Sequence, residues 1–365
     1  MIEINQLLKA MVDKDASDLH LRAGGPPIFR LNGSLFRAQT EALMPPDMAR
    51  FCEELMNERQ REIFAESNEL DFAVGIRGIG RFRINAFRQR GTPALAIRAT
   101  KAVIPVFSEI NVPEVCLDLA MRKRGLILVT GTTGSGKSTL LASLIDHINN
   151  SNSVNVVTIE DPIEFLFRDK KSTIAQREVG TDTSSFKDAL RSCFREDPDV
   201  ILIGEIRDKI TMETALSAAD TGHMVMSTLH TMNCVETISR IISFFPPYQH
   251  DQVRLVLSGV LVAIISLRLL PRKDGTGRIP ATEILINNAT IAEYLMHPEK
   301  SSLIMGAVRD GFSQYGSRSF DQSLLQLYRD DIITLAVAKQ NANNPDDFEL
   351  KVGGVEGTSE RGWTT

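Results

Sequence analysis

The stretch Gly131-Thr-Thr-Gly-Ser-Gly-Lys137-Ser138 has the spacing G-x-x-x-x-G-K-[ST], and the apolar run Leu126–Val129 stands directly before it. No other feature constrains the fold as tightly. The spacing works where a parallel-sheet strand hands the chain to a helix, because the glycines let successive N–H groups converge on phosphate oxygens at the helix's positive end. Leu140, Leu141, Leu144 and Ile145 supply the apolar face of that helix. A nucleoside triphosphate, ATP, is therefore the expected ligand. Its binding set is Gly131, Thr132, Thr133, Gly134, Ser135, Gly136, Lys137, Ser138 and Thr139. Lys137 would reach the β- and γ-phosphates, and the Ser138 hydroxyl would ligate Mg2+.

A chain of 365 residues, 43% hydrophobic and 24% charged, can bury a real core and divides into two or three domains. Met1-Ile-Glu-Ile-Asn-Gln lacks the basic region and apolar run of a secretory signal, which predicts a cytoplasmic protein. The most apolar stretch, between Arg254 and Arg268, is too short for the roughly 20 residues of a membrane span and is expected to be a buried helix. Cys52, Cys116, Cys193 and Cys234 are far apart, so neither a zinc site nor a disulfide framework is supported. A net charge of -5 argues against a nucleic-acid partner, which needs clustered Lys and Arg.

Residues 1–100 read as a small α+β domain. Asn32-Gly33 between two short β-rich runs is a hairpin signal. A single helix is expected over Pro46–Glu66, with Met48, Phe51, Leu55 and Ile63 on its apolar face. Strands follow at Leu70–Val74, Gly80–Phe87 and Ala94–Arg98; in the second of these, alternation places Arg81 and Arg83 on one face. Residues 101–112 read as a linker. Between 113 and 285, strands at Leu126–Val129, Val154–Ile159, Val200–Ile203 and Met224–Ser227 alternate with helices, the pattern of a parallel sheet covered on both faces. Residues 286–340 read as helical, and the polar end, 341–365, as a mobile tail.

Hydrolysis requires a metal, a group that orients or deprotonates water, and positive charge near the γ-phosphate. In Asp197-Pro-Asp-Val-Ile-Leu-Ile-Gly-Glu205-Ile-Arg207-Asp208 an apolar strand ends in an acidic residue, and Glu205 is the expected catalytic base. Gly204 stands where many such enzymes carry a metal-binding Asp. A second acidic strand end, Glu160-Asp161-Pro-Ile-Glu164, can supply that carboxylate, since ligands in open α/β sheets bind at the carboxyl ends of strands. Glu160 and Asp161 are the metal candidates beside Ser138, and Glu164 is a further catalytic candidate. His230, closing Thr221–Thr231, is placed to hydrogen-bond a γ-phosphate.

Together these segments resemble the secretion-type ATPases of the RecA-like class, and among them the PilT-type twitching-motility ATPases of type IV pili. The resemblance covers nearly the whole chain: Ala16–Leu21, Gly80–Phe87, the phosphate loop, Thr158–Phe165, Asp197–Asp208, Thr221–Thr231, Thr237–Arg240 and Phe320–Leu324. It implies a RecA-like core behind a PAS-like α+β first domain. It further implies a homohexamer that acts from the cytoplasmic side on a pilus platform protein of the inner membrane, with Arg81, Arg83 and Arg98 reaching the nucleotide at a subunit boundary. Assembly and type II secretion relatives carry a four-cysteine zinc module that is missing here, which favours the retraction branch. Thr290–Met296 stands where the branch typically has Ala-Ile-Arg-Asn-Leu-Ile-Arg-Glu and lacks both arginines. Two roles stay open on that ground, the primary retraction motor or a PilU-like partner of a paralogous retraction ATPase. A nucleic-acid translocase is the alternative from another class.

Overall fold

The computed structural model describes residues 2–31, 33–100 and 103–354. They form two compact units, one made of the chain up to Val103 with Pro162–Leu166 and Gly180–Asp182, the other of the remainder. Lys101 and Ala102 of the expected linker, and residues 355–365 of the expected tail, lie outside the described residues.

In the first unit the elements run α1 (Ile4–Asp13), β1 (Asp18–Arg22), β2 (Ile28–Leu31), β3 (Ser34–Arg37), α2 (Pro45–Leu55), α3 (Glu58–Ser67), β4 (Glu69–Ile76), β5 (Gly80–Gln89) and β6 (Thr92–Ala99). Its sheet is antiparallel, in the order β3-β2-β1-β6-β5-β4. Leu31 pairs with Ser34 around the Asn-Gly turn, where Gly33 takes φ +83°, as the hairpin signal required; Asn32 itself lies outside the described residues. Alternation on β5 sends Phe82, Ile84 and Ala86 into a core shared with Leu8, Met11, Met48 and Phe51.

The single helix expected over Pro46–Glu66 is two helices. Asn57 starts the second one: its side chain accepts from the Gln60 N–H at 2.9 Å, while the Gln60 side chain accepts from the Asn57 N–H at 3.0 Å. This reciprocal cap ends the first helix at Leu55 and resets the helical phase. Phe64 is therefore the buried residue of α3, and Ile63 is 39% exposed.

The second unit runs α4 (Val115–Ala120), β7 (Gly125–Thr130), α5 (Lys137–Ser151), β8 (Asn155–Glu160), β9 (Thr173–Glu178), α6 (Phe186–Cys193), β10 (Val200–Ile203), α7 (Lys209–Asp220), β11 (Met224–Leu229), α8 (Cys234–Ser243), α9 (His250–Val260), β12 (Leu261–Pro271) and β13 (Arg278–Ile286). The helices α10 (Ala289–Met296), α11 (Ile304–Asp310), α12 (Phe312–Tyr315), α13 (Phe320–Arg329), α14 (Leu335–Asn341) and α15 (Pro345–Val352) follow. Seven strands lie in the order β13-β12-β7-β11-β10-β8-β9, all parallel except β13. Residues of β7 and β10 to β12 feed two apolar clusters, one on each face, as a parallel sheet covered by helices must.

Two expectations fail here. The apolar stretch between Arg254 and Arg268 is half helix and half strand: α9 stops at Val260, and Leu261 begins β12, hydrogen-bonded between β7 and β13. A strand buried on both faces has no polar alternation to distinguish it from a buried helix. The polar end also stays folded beyond residue 341. Asn344 caps α15, Pro345 opens it, and Phe348 is 1% exposed in a cluster with Phe320, Leu324 and Ile333. All four cysteines are buried and free, and burial pushes the thiols of Cys116 and Cys193 up to about 12. Among the described residues no helix is long and apolar enough to cross a membrane.

Phe348→Ala should cost about 3 kcal/mol, the usual range for emptying a buried aromatic site. Urea unfolding followed by circular dichroism checks it, and an unchanged midpoint would show that α15 contributes nothing to the core.

Candidate active site

The phosphate loop is dictated by close packing on one side and open space on the other. Gly131 takes φ +137°, and a Cβ there would stand 2.5 Å from the Leu267 carbonyl oxygen and 2.6 Å from Ser135 Oγ, so only glycine fits. Gly134 and Gly136 take φ +81° and +99°, with nothing within 4 Å of the corresponding position. Lys137, the first residue of α5, is 8% exposed and donates from Nζ to the carbonyls of Gly131 at 2.8 Å and Thr132 at 3.0 Å. Burial lowers its pKa, and the nearby negative charge of Glu205 acts in the opposite direction. Ser135 Oγ is buried without a hydrogen-bond partner. Thr132, Thr133, Gly134 and Ser138 are exposed, and Thr139 is half-buried. A buried ammonium, an unmatched buried hydroxyl and open glycine positions at a helix N-terminus together suit phosphate oxygens.

Strand order brings the remaining groups together. β11 lies between β7 and β10, so the chain leaving β11 emerges between the phosphate loop and the end of β10. Ser227 Oγ donates to the Ile203 carbonyl at 2.7 Å and Thr228 Oγ1 to the Gly204 carbonyl at 2.8 Å, fixing the two strand ends in register. His230 Nε2 then stands 3.1 Å from Glu205 Oε2. On the other oxygen, Oε1, Glu205 accepts from the Arg207 guanidinium, and that hydrogen bond is the main cause raising the arginine's pKa. Glu205 keeps 14% of its side chain exposed between these two more open partners. Arg207 was absent from the expected site. Its signal was its spacing, two residues after Glu205 beyond a strand end, where backbone alternation returns a side chain to the same side.

Gly204 has its own reason for being small. A Cβ there would meet the Glu160 Cα and the Ile159 carbonyl oxygen, each at 3.3 Å, so the neighbouring strand end crowds the position where other enzymes place an Asp. Glu160 closes β8 and is 8% exposed; its Oε1 accepts from Thr158 Oγ1 at 2.7 Å and Gln176 Nε2 at 3.2 Å. Asp161 is exposed, and its charge adds to that of Glu205 in raising the Arg207 pKa. Among the described residues no group of three or more His, Cys, Asp or Glu is placed to hold a metal by itself.

The second unit thus gathers Lys137, Ser138, Glu205, His230 and Arg207, with Glu160 and Asp161 at the next strand end. Glu164 falls in Pro162–Leu166, which groups with the first unit, and is exposed. Arg81, Arg83 and Arg98 belong to the first unit as well. Arg83 and Arg98 are cross-strand partners on β5 and β6. Arg98 also donates from Nε to Asp18 Oδ1 at 2.9 Å; burial alone would raise that carboxyl, but the Ser17 and Arg98 hydrogen bonds bring it below its usual value.

Residues 2–296 match the family model described as type II/IV secretion system protein. The chain is 40% identical over 351 residues to the type IV pilus ATPase PilU of Pseudomonas aeruginosa, covering 96% of this chain and 91% of that protein. It is 40% identical over 347 residues to the type IV pilus retraction ATPase PilT of the same organism, covering 95% and 100%. Its fold superimposes on a crystal structure of the pilus retraction motor PilT with bound ADP at a TM-score of 0.89 and 45% identity, over 96% of this chain and 99% of that one. With the phosphate loop, the strand order and the Glu205–His230 pair all in one unit, the chain belongs to the type II/IV secretion system protein family.

Proposed function

We propose that this protein is an ATPase motor that powers retraction of a type IV pilus, working as a ring of six subunits on a platform protein from the cytoplasmic face of the inner membrane. The observation that carries this reading is the Glu205 carboxylate, held by Arg207 and by His230, which follows the strand beside the one that feeds the phosphate loop. Near-equal similarity to PilT and PilU along almost the entire chain supplies the biological setting. The absence of two arginines from Thr290–Met296 keeps a PilU-like role beside a paralogous motor as the second reading.

In this mechanism Lys137 gives up its loop carbonyls for the β- and γ-phosphate oxygens. Ser138, exposed at the start of α5, would hold Mg2+ together with phosphate oxygens and a carboxylate from Glu160 or Asp161. Magnesium commonly needs only one or two protein carboxylates when phosphates complete its shell; when bound, it neutralises charge on the β- and γ-oxygens. Glu205 orients and deprotonates the attacking water, and His230 faces the γ-phosphate. Arg81, Arg83 and Arg98 of an adjacent subunit would supply the cationic charge that in-line transfer needs, with Arg98 exchanging Asp18 for phosphate. Glu164 would act from the segment between the acidic strand end and β9.

Glu205→Gln should retain ATP binding and lose at least about 100-fold in kcat, the contribution of a general base. Full turnover by that variant would remove Glu205 from the mechanism. Gly131→Ala should abolish nucleotide binding, because the added carbon collides with the Leu267 carbonyl; equilibrium binding of a fluorescent ATP analogue measures this, and wild-type affinity would contradict it. At the cellular level, deletion of the gene should leave pili that extend without retracting. Bald cells would instead assign the protein to assembly.

A further inference from the structure

Glu283 is a carboxylate with 0% exposure inside β13. It lies in a row that crosses the sheet: Leu229 pairs with Thr130, Thr130 with Ser266, and Ser266 with Glu283. Directly opposed residues share a face. Thr130 and Ser266 share a hydrogen bond of 2.7 Å between their hydroxyls. Glu283 Oε1 accepts the backbone N–H of Cys234 at 2.8 Å, and the Cys234 thiol lies 3.7 Å from Ser266 Oγ. None of these four residues has appreciable exposure.

The row has consequences at both ends. Thr130 immediately precedes Gly131 of the phosphate loop, and Leu229 immediately precedes His230. Cys234 is the first residue of α8, so residues 230–233 span two anchors of the same row. Leu229 is fixed by pairing with β7, and Cys234 is fixed by Glu283. A buried carboxylate is costly, and burial raises the Glu283 pKa despite the N–H and thiol of Cys234, the charge of Arg268 and the backbone N–H of Phe320. An apolar side chain of similar size would avoid that cost but leave the Cys234 N–H without its acceptor.

We infer that Glu283 is a positioning residue for hydrolysis, pinning the start of α8 so that His230 is held against Glu205 in register with the phosphate loop. The inference rests on the hydrolytic reading of the site. It assigns Glu283 no contact with nucleotide; its effect passes through the Cys234 N–H and the short segment that carries His230.

The test compares Glu283→Met, which keeps volume and removes the acceptor, with Glu283→Gln, which keeps the acceptor. Removing a buried charge offsets the loss of an acceptor, so the Met variant should keep the fold. The Met variant should lose about tenfold or more in kcat with KM little changed, as small misplacements of catalytic groups do, and Gln should restore most of it. Cys234→Pro removes the donor instead and sits at the first helical position, where proline is tolerated; it should reproduce the Met result even if the Met variant fails to fold. In a His230→Ala background neither substitution should lower kcat further. Wild-type kcat in either folded variant, or losses that simply add to that of His230→Ala, would overturn the proposal. A readout free of turnover is the His230 imidazole resonance, identified among the six histidines with a His230→Gln sample. It should move in the Met variant and return in Gln, and an unmoved resonance would also overturn the proposal. Absence of ATP turnover in the unmodified protein would refute the hydrolytic reading, while the resonance would still decide the positioning.

Discussion

The parallel pairing of β11 between β7 and β10 is the constraint on which the site depends. It places the His230 loop between the phosphate loop and Glu205, and no side chain in any of the three segments could reach the others without it. The pairing is locked beyond the backbone ladder. Ser227 and Thr228 send their hydroxyls to the carbonyls of Ile203 and Gly204, and the Ile206 N–H returns to the Thr228 carbonyl at 3.1 Å. A slip of one residue would turn the wholly buried side chains of β11 to the opposite face, and the two apolar clusters would lose their match. The apolar core and the catalytic geometry are thus set by the same register.

Gly204 shows how tightly the strand ends are drawn together. Its neighbours Ile159 and Glu160 approach from β8 to 3.3 Å of where a Cβ would stand, so a side chain there would crowd the adjacent strand end. One strand away, Glu160 closes β8 and Asp161 follows it, so two carboxylates stand beside the position that Gly204 leaves bare. Glu160 is already oriented by Thr158 and Gln176, one from its own strand and one from β9. The edge strand β9 therefore has a part in the site, although none of its residues belongs to a recognised motif.

What the sequence revealed follows from which signals are local. The phosphate loop, Glu205 and His230 could be found because short motifs and apolar strands report their own conformation. β9 could not: Thr173–Glu178 is a polar edge strand, and only its pairing with β8 makes it one. Leu261–Leu270 was hidden for the opposite reason, since burial on both faces erases the alternation that marks a strand. Asn57 was missed as a helix start because the hydrophobic spacing of Met48, Phe51, Leu55 and Ile63 continues through it, and a reciprocal cap outweighs such spacing locally. Phe348 was lost in a polar background, where one aromatic residue is enough to fold a two-turn helix onto Phe320 and Leu324. Arg207 was legible too, standing two residues after Glu205 beyond the same strand end.

The charged groups of the site are already partnered within the chain. Lys137 is held by two loop carbonyls, and Glu205 by His230 and Arg207. Nucleotide binding is then an exchange of partners, which lowers its net gain but also lowers the cost of keeping such charges in a partly dry site. The exchange is unequal. Carbonyl dipoles are weaker partners for an ammonium than phosphate oxygens are, so Lys137 favours the ligand. Glu205 gains nothing comparable from a phosphate, which repels it, and its arginine and histidine hold it in place as negative charge arrives. A carboxylate kept by two cationic or hydrogen-bonding partners can approach a triphosphate closely enough to act on water beside it. The same two partners are exposed and sit on separate segments, one following β10 and the other following β11.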